Sequence, residues 1–244
     1  MSETFIALLT AHLLADFQFQ PLWMVQNKRD PKVLGLHVIR VGMLAIVVTG
    51  ACPVLLMLIL MAAHFATDAI KSHLLNDTVQ FFALDQSVHL AVLGGLAAAF
   101  PQTVAQGWLS HLPSGWLGAY CIGLSLLSGL IASLTMGAIL IRKATSGFTS
   151  EIAGGIEGLR SGGLTIGCLE RALVMLLILI GQPAGVGFLI TAKSILRFGD
   201  VKDPSQRQMT EYIIIGTFMS FGWGLLIAVL TQFGVTHWAQ VMTK

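Results

Sequence analysis

The chain has 244 residues, of which 55% are hydrophobic and 11% charged, with a mean hydropathy of +0.80. Soluble domains carry roughly 25% charged residues, so fourteen Lys and Arg with twelve Asp and Glu are too few to coat a soluble particle of 26.1 kDa. The composition excludes an ordinary cytosolic enzyme and a disordered chain, and a net charge of +2 gives no electrostatic footprint for nucleic acid.

The apolar residues fall in several long runs, the pattern of an all-α, polytopic helical membrane protein whose first partner is the lipid bilayer. About eight transmembrane helices are predicted, at 3–20, 33–51, 53–75, 78–100, 116–141, 163–181, 183–197 and 208–232. The opening run, MSETFIALLTAHLLADF, has no basic n-region and no small-residue cleavage site, so it reads as the first membrane helix and not as a signal peptide. Pro53 suits a helix start and Asn76-Asp77-Thr78 an N-cap. Pro101 ends the fourth span, and Gly181-Gln182-Pro183 reads as a tight turn. The first and seventh spans are short, and the seventh suits a tilted or partly re-entrant segment. Three parts follow. Residues 1–100 form a four-helix half rich in His and Asp, 101–162 hold an outer loop, the fifth helix and a Gly-rich cytoplasmic loop, and 163–244 form a half that carries Glu, Arg and Lys. The Gly-rich stretch 142–163 lacks the Gly-Lys-Ser/Thr ending of a phosphate loop, and reads as a flexible connection or as a lid over a cytoplasmic-facing site. Cys52, Cys121 and Cys168 show no CxxC spacing and lie in apolar runs, which argues against structural disulfides and a thiolate zinc site.

Loop charges set the expected topology. Lys28, Arg29 and Lys32 follow the first span, Lys71 ends the third, Arg142, Lys143 and Arg160 follow the fifth, and Arg197, Lys202 and Arg207 follow the seventh. Basic residues stay cytoplasmic, so both termini are expected outside, with Trp108, Trp116 and Trp238 at the outer boundary.

Ionisable groups inside a bilayer cost several kcal/mol each and point to function. Here they follow a pattern: His12-x-x-x-Asp16 in span 1, His64-x-x-x-Asp68 in span 3, Asp85-Gln86-x-x-His89 in span 4, and His37 with Arg40 in span 2. Residues four apart share a helix face, so three helices each present one imidazole and one carboxylate on a single stripe. At about 1.5 Å per residue, Asp16 and His37 lie roughly 6 Å deep, Asp68 and Asp85 roughly 10 Å, His12 roughly 12 Å, and His64 and His89 roughly 16 Å. All seven fall in the cytoplasmic half of the membrane. Imidazole and carboxylate donors suit a divalent metal, Zn²⁺ first, with Mn²⁺ and Fe²⁺ as the other ions of this donor set. The expected ligands are His12, Asp16, His64, Asp68 and His89. Asp85 bridges two ions or acts as base, His37 is a ligand or general acid, and Arg40 or Lys71 steadies an anion. Two other readings stand beside this one: a hydrogen-bonded network that locks four helices together, and a proton or cation path. In the second half, Glu170-Arg171, Lys193, Arg197 and Arg207-x-x-x-Glu211 either pair among themselves or supply a substrate-binding clamp of Arg171, Lys193 and Arg197 for a phosphate.

The motifs HLLADFQFQ, HFATDAIK, DQSVHL, GCLER, AKSILRFGD and EYIIIGT together resemble the bacterial inner-membrane family catalogued as domain of unknown function 3307. The resemblance implies a multi-pass fold in the bacterial inner membrane and marks His12, Asp16, Gln20, His37, His64, Asp68, Lys71, Asp85, Gln86 and His89. HxxxD on helices is also similar to the ligand pattern of zinc-dependent phospholipases C and their all-helical nuclease relatives, although the N-terminal Trp ligand of those enzymes has no counterpart here. The expectation is a membrane-embedded metal-dependent hydrolase, with a phosphoester of a lipid or lipid-linked substrate as its substrate class. The alternatives are an ion-coupled transporter that uses the same groups and a membrane scaffold.

Overall fold

The computed structural model of the chain describes residues 1–111, 113, 115–149, 162–197 and 207–242, except for the side chains of 196, 197 and 207. The described residues are helical and contain no strand. They form two compact units: Met1–Ile131 with Gly234–Lys244, and Ala132–Phe233. Six helices are long and apolar enough to cross a membrane: Pro31–Thr49, Val54–Leu74, Val79–Ala99, Trp116–Thr149, Gly162–Leu179 and Gln208–Met242.

The first unit is built around a short helix, α1 (Ser2–Phe17), which packs against α3 (Pro31–Thr49), α5 (Val79–Ala99) and α6 (Trp116–Ile131). Ala7, Ala11 and Ala15 are fully buried at successive four-residue steps, and small residues at that spacing let helix backbones approach closely. α4 (Val54–Leu74) packs between α3 and α5. The outward stripe of α3, with Ile39, Met43 and Val47, and that of α4, with Leu55, Leu58 and Ile59, stay exposed; such apolar faces are solvated by lipid chains. Between α1 and α3 a strap of residues 18–30 carries one short helix, α2 (Leu22–Gln26). Asp30 caps α3 by accepting from the Lys32 amide, with Pro31 at its first position, a pairing suited to a helix start.

The two ends of this unit differ in chemistry. At one end the terminal amine of Met1 donates to the Pro101 carbonyl, and the Trp108 amide donates to Gly50. Gly50 has φ +69°, and a Cβ there would lie 2.1 Å from the Trp108 indole. Tyr120 Oη donates to the Val48 carbonyl beside it, and Trp238 is buried in the first unit. The other end carries Lys28, Arg29, Lys32 and Lys71.

Several expected boundaries shift. The fifth span does not stop at 141. It passes through a π-helical turn, Ala132–Met136, and continues as α7 (Gly137–Thr149), whose Thr145 hydroxyl donates back to the Ile141 carbonyl. The expected Gly-rich loop is therefore helical as far as Thr149, and 150–161 lie outside the described residues. The last helix, α10 (Arg207–Met242), runs ten residues past the expected end at 232. Its final turns lie on α6, with Met242 seated on Gly118. In the second unit α8 (Gly162–Leu179) and α9 (Ala184–Arg197) are joined by the expected turn, with Gly181 at φ +72°.

Candidate functional site

Four helices of the first unit aim polar side chains at one point. α1 supplies His12 and Asp16, α3 supplies His37, α4 supplies His64, Asp68 and Lys71, and α5 supplies Asp85, Gln86 and His89. The i,i+4 spacing in α1, α4 and α5 puts each imidazole one turn from its carboxylate. All seven His and Asp residues are nearly or fully buried.

The tightest part is a quartet. His37 Nε2 and His64 Nε2 are 3.1 Å apart. Asp16 Oδ1 lies 3.3 Å from the first and 3.4 Å from the second, and Asp68 Oδ2 lies 3.4 and 3.5 Å from them. Beside the quartet the rings of His12 and His89 stack, with centroids 4.9 Å apart and planes inclined by 21°. His12 Nε2 meets Gln86 Oε1 at 3.3 Å, and His89 Nδ1 meets the Asp85 carbonyl at 2.9 Å. Two lysines close the cluster. Lys28, from the strap, donates to Asp68 Oδ2 at 2.8 Å, and Lys71 donates to Asp85 Oδ2 at 2.5 Å. Gln86 Nε2 donates to the same Asp85 oxygen.

Buried polar atoms without partners are rare in folded proteins and call for a reason. Here His12 Nδ1, Asp16 Oδ1, His37 Nδ1, Asp85 Oδ1 and His89 Nε2 are all buried without a directed hydrogen bond. Three groups, His12/His64/His89, Asp16/His37/His64 and Asp68/Asp85/His89, each hold donor atoms within 4.8 Å of one another. Imidazole nitrogens and carboxylate oxygens that converge at this spacing are the donor set of a first-row divalent ion. The residues present therefore fit such an ion on chemistry and on spacing.

The structure thus brings together His12, Asp16, His37, His64, Asp68, Lys71, Asp85, Gln86 and His89. It directs Arg40 elsewhere: Nη1 donates to the Phe19 carbonyl at 2.9 Å and touches Met24 Sδ, so this guanidinium fastens the strap. Arg29 does the same from the other side, with Nε on the Ser72 carbonyl. Lys28, read in the sequence only as a topogenic charge, is a member of the cluster. No spacing rule could place it, since its reach depends on how the strap folds over α4. Gln20 Nε2 is buried and without a partner near the start of the strap.

The cations of the second unit are engaged. The π-helical turn frees carbonyls from the regular ladder, and Arg171 takes two of them: Nε donates to Ser133 at 2.7 Å and Nη2 to Leu134 at 3.1 Å, while Nη1 donates to Ser220 Oγ. Trp223 Nε1 takes the Ala132 carbonyl. Lys193 pairs with Glu170 at 2.7 Å. Both side chains border a cavity of about 480 Å³ that Arg142, Thr145 and Tyr212 also line. Of the expected phosphate clamp, Arg171 is thus committed to backbone carbonyls, Lys193 to a carboxylate, and the Arg197 side chain lies outside the described residues.

This arrangement of buried His, Asp and Lys lies wholly within a stretch that other proteins share. Residues 4–113 match the family described as Protein of unknown function (DUF3307). The matched segment runs from α1 through α5 and holds the whole cluster, from His12 to His89. It agrees with the family that the motifs resemble; GCLER, AKSILRFGD and EYIIIGT lie beyond it. No curated protein and no solved structure matches the chain.

Proposed function

We propose that the chain is a membrane-embedded, metal-dependent hydrolase whose His/Asp centre opens toward the cytoplasmic leaflet. Its proposed substrate class is a phosphoester carried on a lipid or lipid-linked molecule. The observation that carries this reading is the convergence of four buried imidazoles and three buried carboxylates, in which donor atoms of Asp16, His37 and His64 come within 3.4 Å of one another.

A divalent ion bound there supplies a Lewis acid and a strong nucleophile at neutral pH. The protein's own part is positioning and proton handling. Asp85 uses one oxygen for Lys71 and Gln86, which leaves Oδ1 to take a proton. His89, with Nδ1 on a backbone carbonyl, presents Nε2 as a second acceptor. Lys71 is the more exposed of the two lysines, at 28% against 13% for Lys28, and is placed to steady the charge of an entering phosphoester. Supporting a lipid-borne substrate are the position of the cluster at the basic end of a lipid-facing helix bundle and the exposed Phe19, Leu22, Trp23 and Val25 on the strap beside it.

The test is elemental mass spectrometry on detergent-purified protein, with His64→Ala and Asp16→Ala alongside. About one or two equivalents of zinc, manganese or iron in the wild type, lost in both variants, is the expected result, followed by turnover of chromogenic phosphodiesters. A folded wild type that takes up none of the three ions on reconstitution would overturn the reading.

A further inference from the structure

We infer that the cluster holds one divalent ion, bound by Asp16, His37 and His64 with a fourth position open, and that His12 and His89 face that ion as proton-handling groups and do not ligate it. This rests on the metal reading above and deepens it. It also departs from the ligand set that spacing alone suggests, which counts His12, Asp68 and His89 in and leaves His37 open.

Three observations on different footings converge on it. The first is spacing. Donor atoms set 2.0–2.1 Å from a tetrahedral Zn²⁺ lie about 3.3 Å apart. Asp16, His37 and His64, which form one of the three groups, give separations of 3.1, 3.3 and 3.4 Å. The other two groups meet only the looser limit of 4.8 Å.

The second is orientation. An imidazole binds a metal through a lone pair in its ring plane. His12 and His89 stack nearly face to face, so their ring planes run side by side instead of meeting at one point. His37 and His64, with planes inclined by 49°, bring their Nε2 atoms together.

The third is charge. Asp16, Asp68 and Asp85 against Lys28 and Lys71 leave the buried cluster with one uncompensated negative charge when the imidazoles are neutral. One divalent ion reverses that to a single positive charge, ready for an anionic substrate. A second ion would leave three positive charges buried together, at a large desolvation cost. The lysines also stand where the second ion would need ligands: their ammonium groups sit on Asp68 Oδ2 and Asp85 Oδ2, the two carboxylates of the Asp68/Asp85/His89 group.

The experiment titrates metal-free, detergent-purified full-length chain with Zn²⁺ and, separately, Co²⁺. It reads bound equivalents by elemental mass spectrometry and the coordination number by the visible absorption of Co²⁺. His37→Asn, Asp16→Asn, His12→Gln and His89→Gln are compared with the wild type. The expected result is one equivalent in the wild type, with the intense visible bands of four-coordinate Co²⁺. That equivalent is lost in H37N and D16N and kept in H12Q and H89Q. Two equivalents, or an ion lost in H89Q but kept in H37N, overturns the inference while leaving a metal protein. No bound ion in a folded wild type overturns the underlying metal reading itself. Should a variant fail to fold, the wild type decides alone: one equivalent with four-coordinate bands upholds the assignment, and two equivalents or the weak bands of six-coordinate Co²⁺ refute it.

Discussion

Asp68 shows how much one residue carries. Its Oδ2 meets His37, His64 and Lys28 within 3.5 Å while the side chain is 1% exposed. A buried carboxylate at such a junction is stable only with positive charge or donors around it. The lysines on Asp68 and Asp85 compensate the carboxylates, and under the one-ion proposal they also keep a second cation out. Replacing both, as Lys28→Met with Lys71→Met, should free those oxygens and raise bound zinc from one to two equivalents by elemental mass spectrometry. A double variant that still holds one equivalent would show that the lysines do not set the stoichiometry. Gly50 is the other residue on which geometry bears hard. Its φ of +69° and the indole packed on its α-carbon leave no room for a methyl group. Non-glycine residues in that backbone region carry about 1–3 kcal/mol of strain. Gly50→Ala should lower the thermal midpoint of the detergent-solubilised protein by several degrees, roughly 2–4 °C per kcal/mol, and an unchanged midpoint would refute the tight fit.

Among the elements, the strap and the π-helical turn are where local sequence and tertiary role part company. The strap has little regular structure, yet Met24 is fully buried, Arg29 and Arg40 pin its two halves to α4 and α3, and Lys28 enters the cluster. Arg40→Ala should loosen it without removing a ligand. The expected outcome is faster proteolysis in the stretch 18–30 with metal content unchanged, and a loss of metal would show that Arg40 supports the quartet directly. In the second unit Arg171 and Trp223 answer the carbonyls that the π-helical turn sets free. Leaving buried carbonyls unpaired costs about 1–3 kcal/mol each. Arg171→Met should therefore destabilise the protein by at least that much in a thermal melt; a melt like the wild type's would assign Arg171 a role in the cavity instead. Gly137 fits the same picture, since a Cβ there would lie 2.6 Å from the Trp223 indole.

At the scale of the whole molecule, the lipid-facing stripes and the two chemically distinct ends of the first unit describe a membrane body with one basic and one tryptophan-bearing side. Single cysteines at Lys32 and at Trp116, in a chain whose Cys52, Cys121 and Cys168 are replaced, should label from opposite sides of sealed vesicles. Labelling from the same side would overturn the orientation drawn from the basic loops. The all-α, multi-span character and the cluster helices were legible in the sequence, because hydropathy is additive along the chain and i,i+4 pairing is fixed by helix geometry. Thus His12/Asp16, His64/Asp68 and Asp85/His89 could be read as three stripes, and the turn at Gly181 and the cap at Thr78 as local chemistry. Other features were not legible. Lys28 joins the cluster only because the strap folds back. Arg40 is drawn off to the Phe19 carbonyl, and Arg171 to a π-helical turn that no periodicity announces. The continuation of α7 and α10 past their expected ends follows from packing, such as Met242 on Gly118. What the sequence determined by itself is the set of groups buried on each helix, since a helix fixes which residues share a face. Only the tertiary structure decided which of those groups meet, because rotation and pairing of helices depend on side chains far apart in the chain.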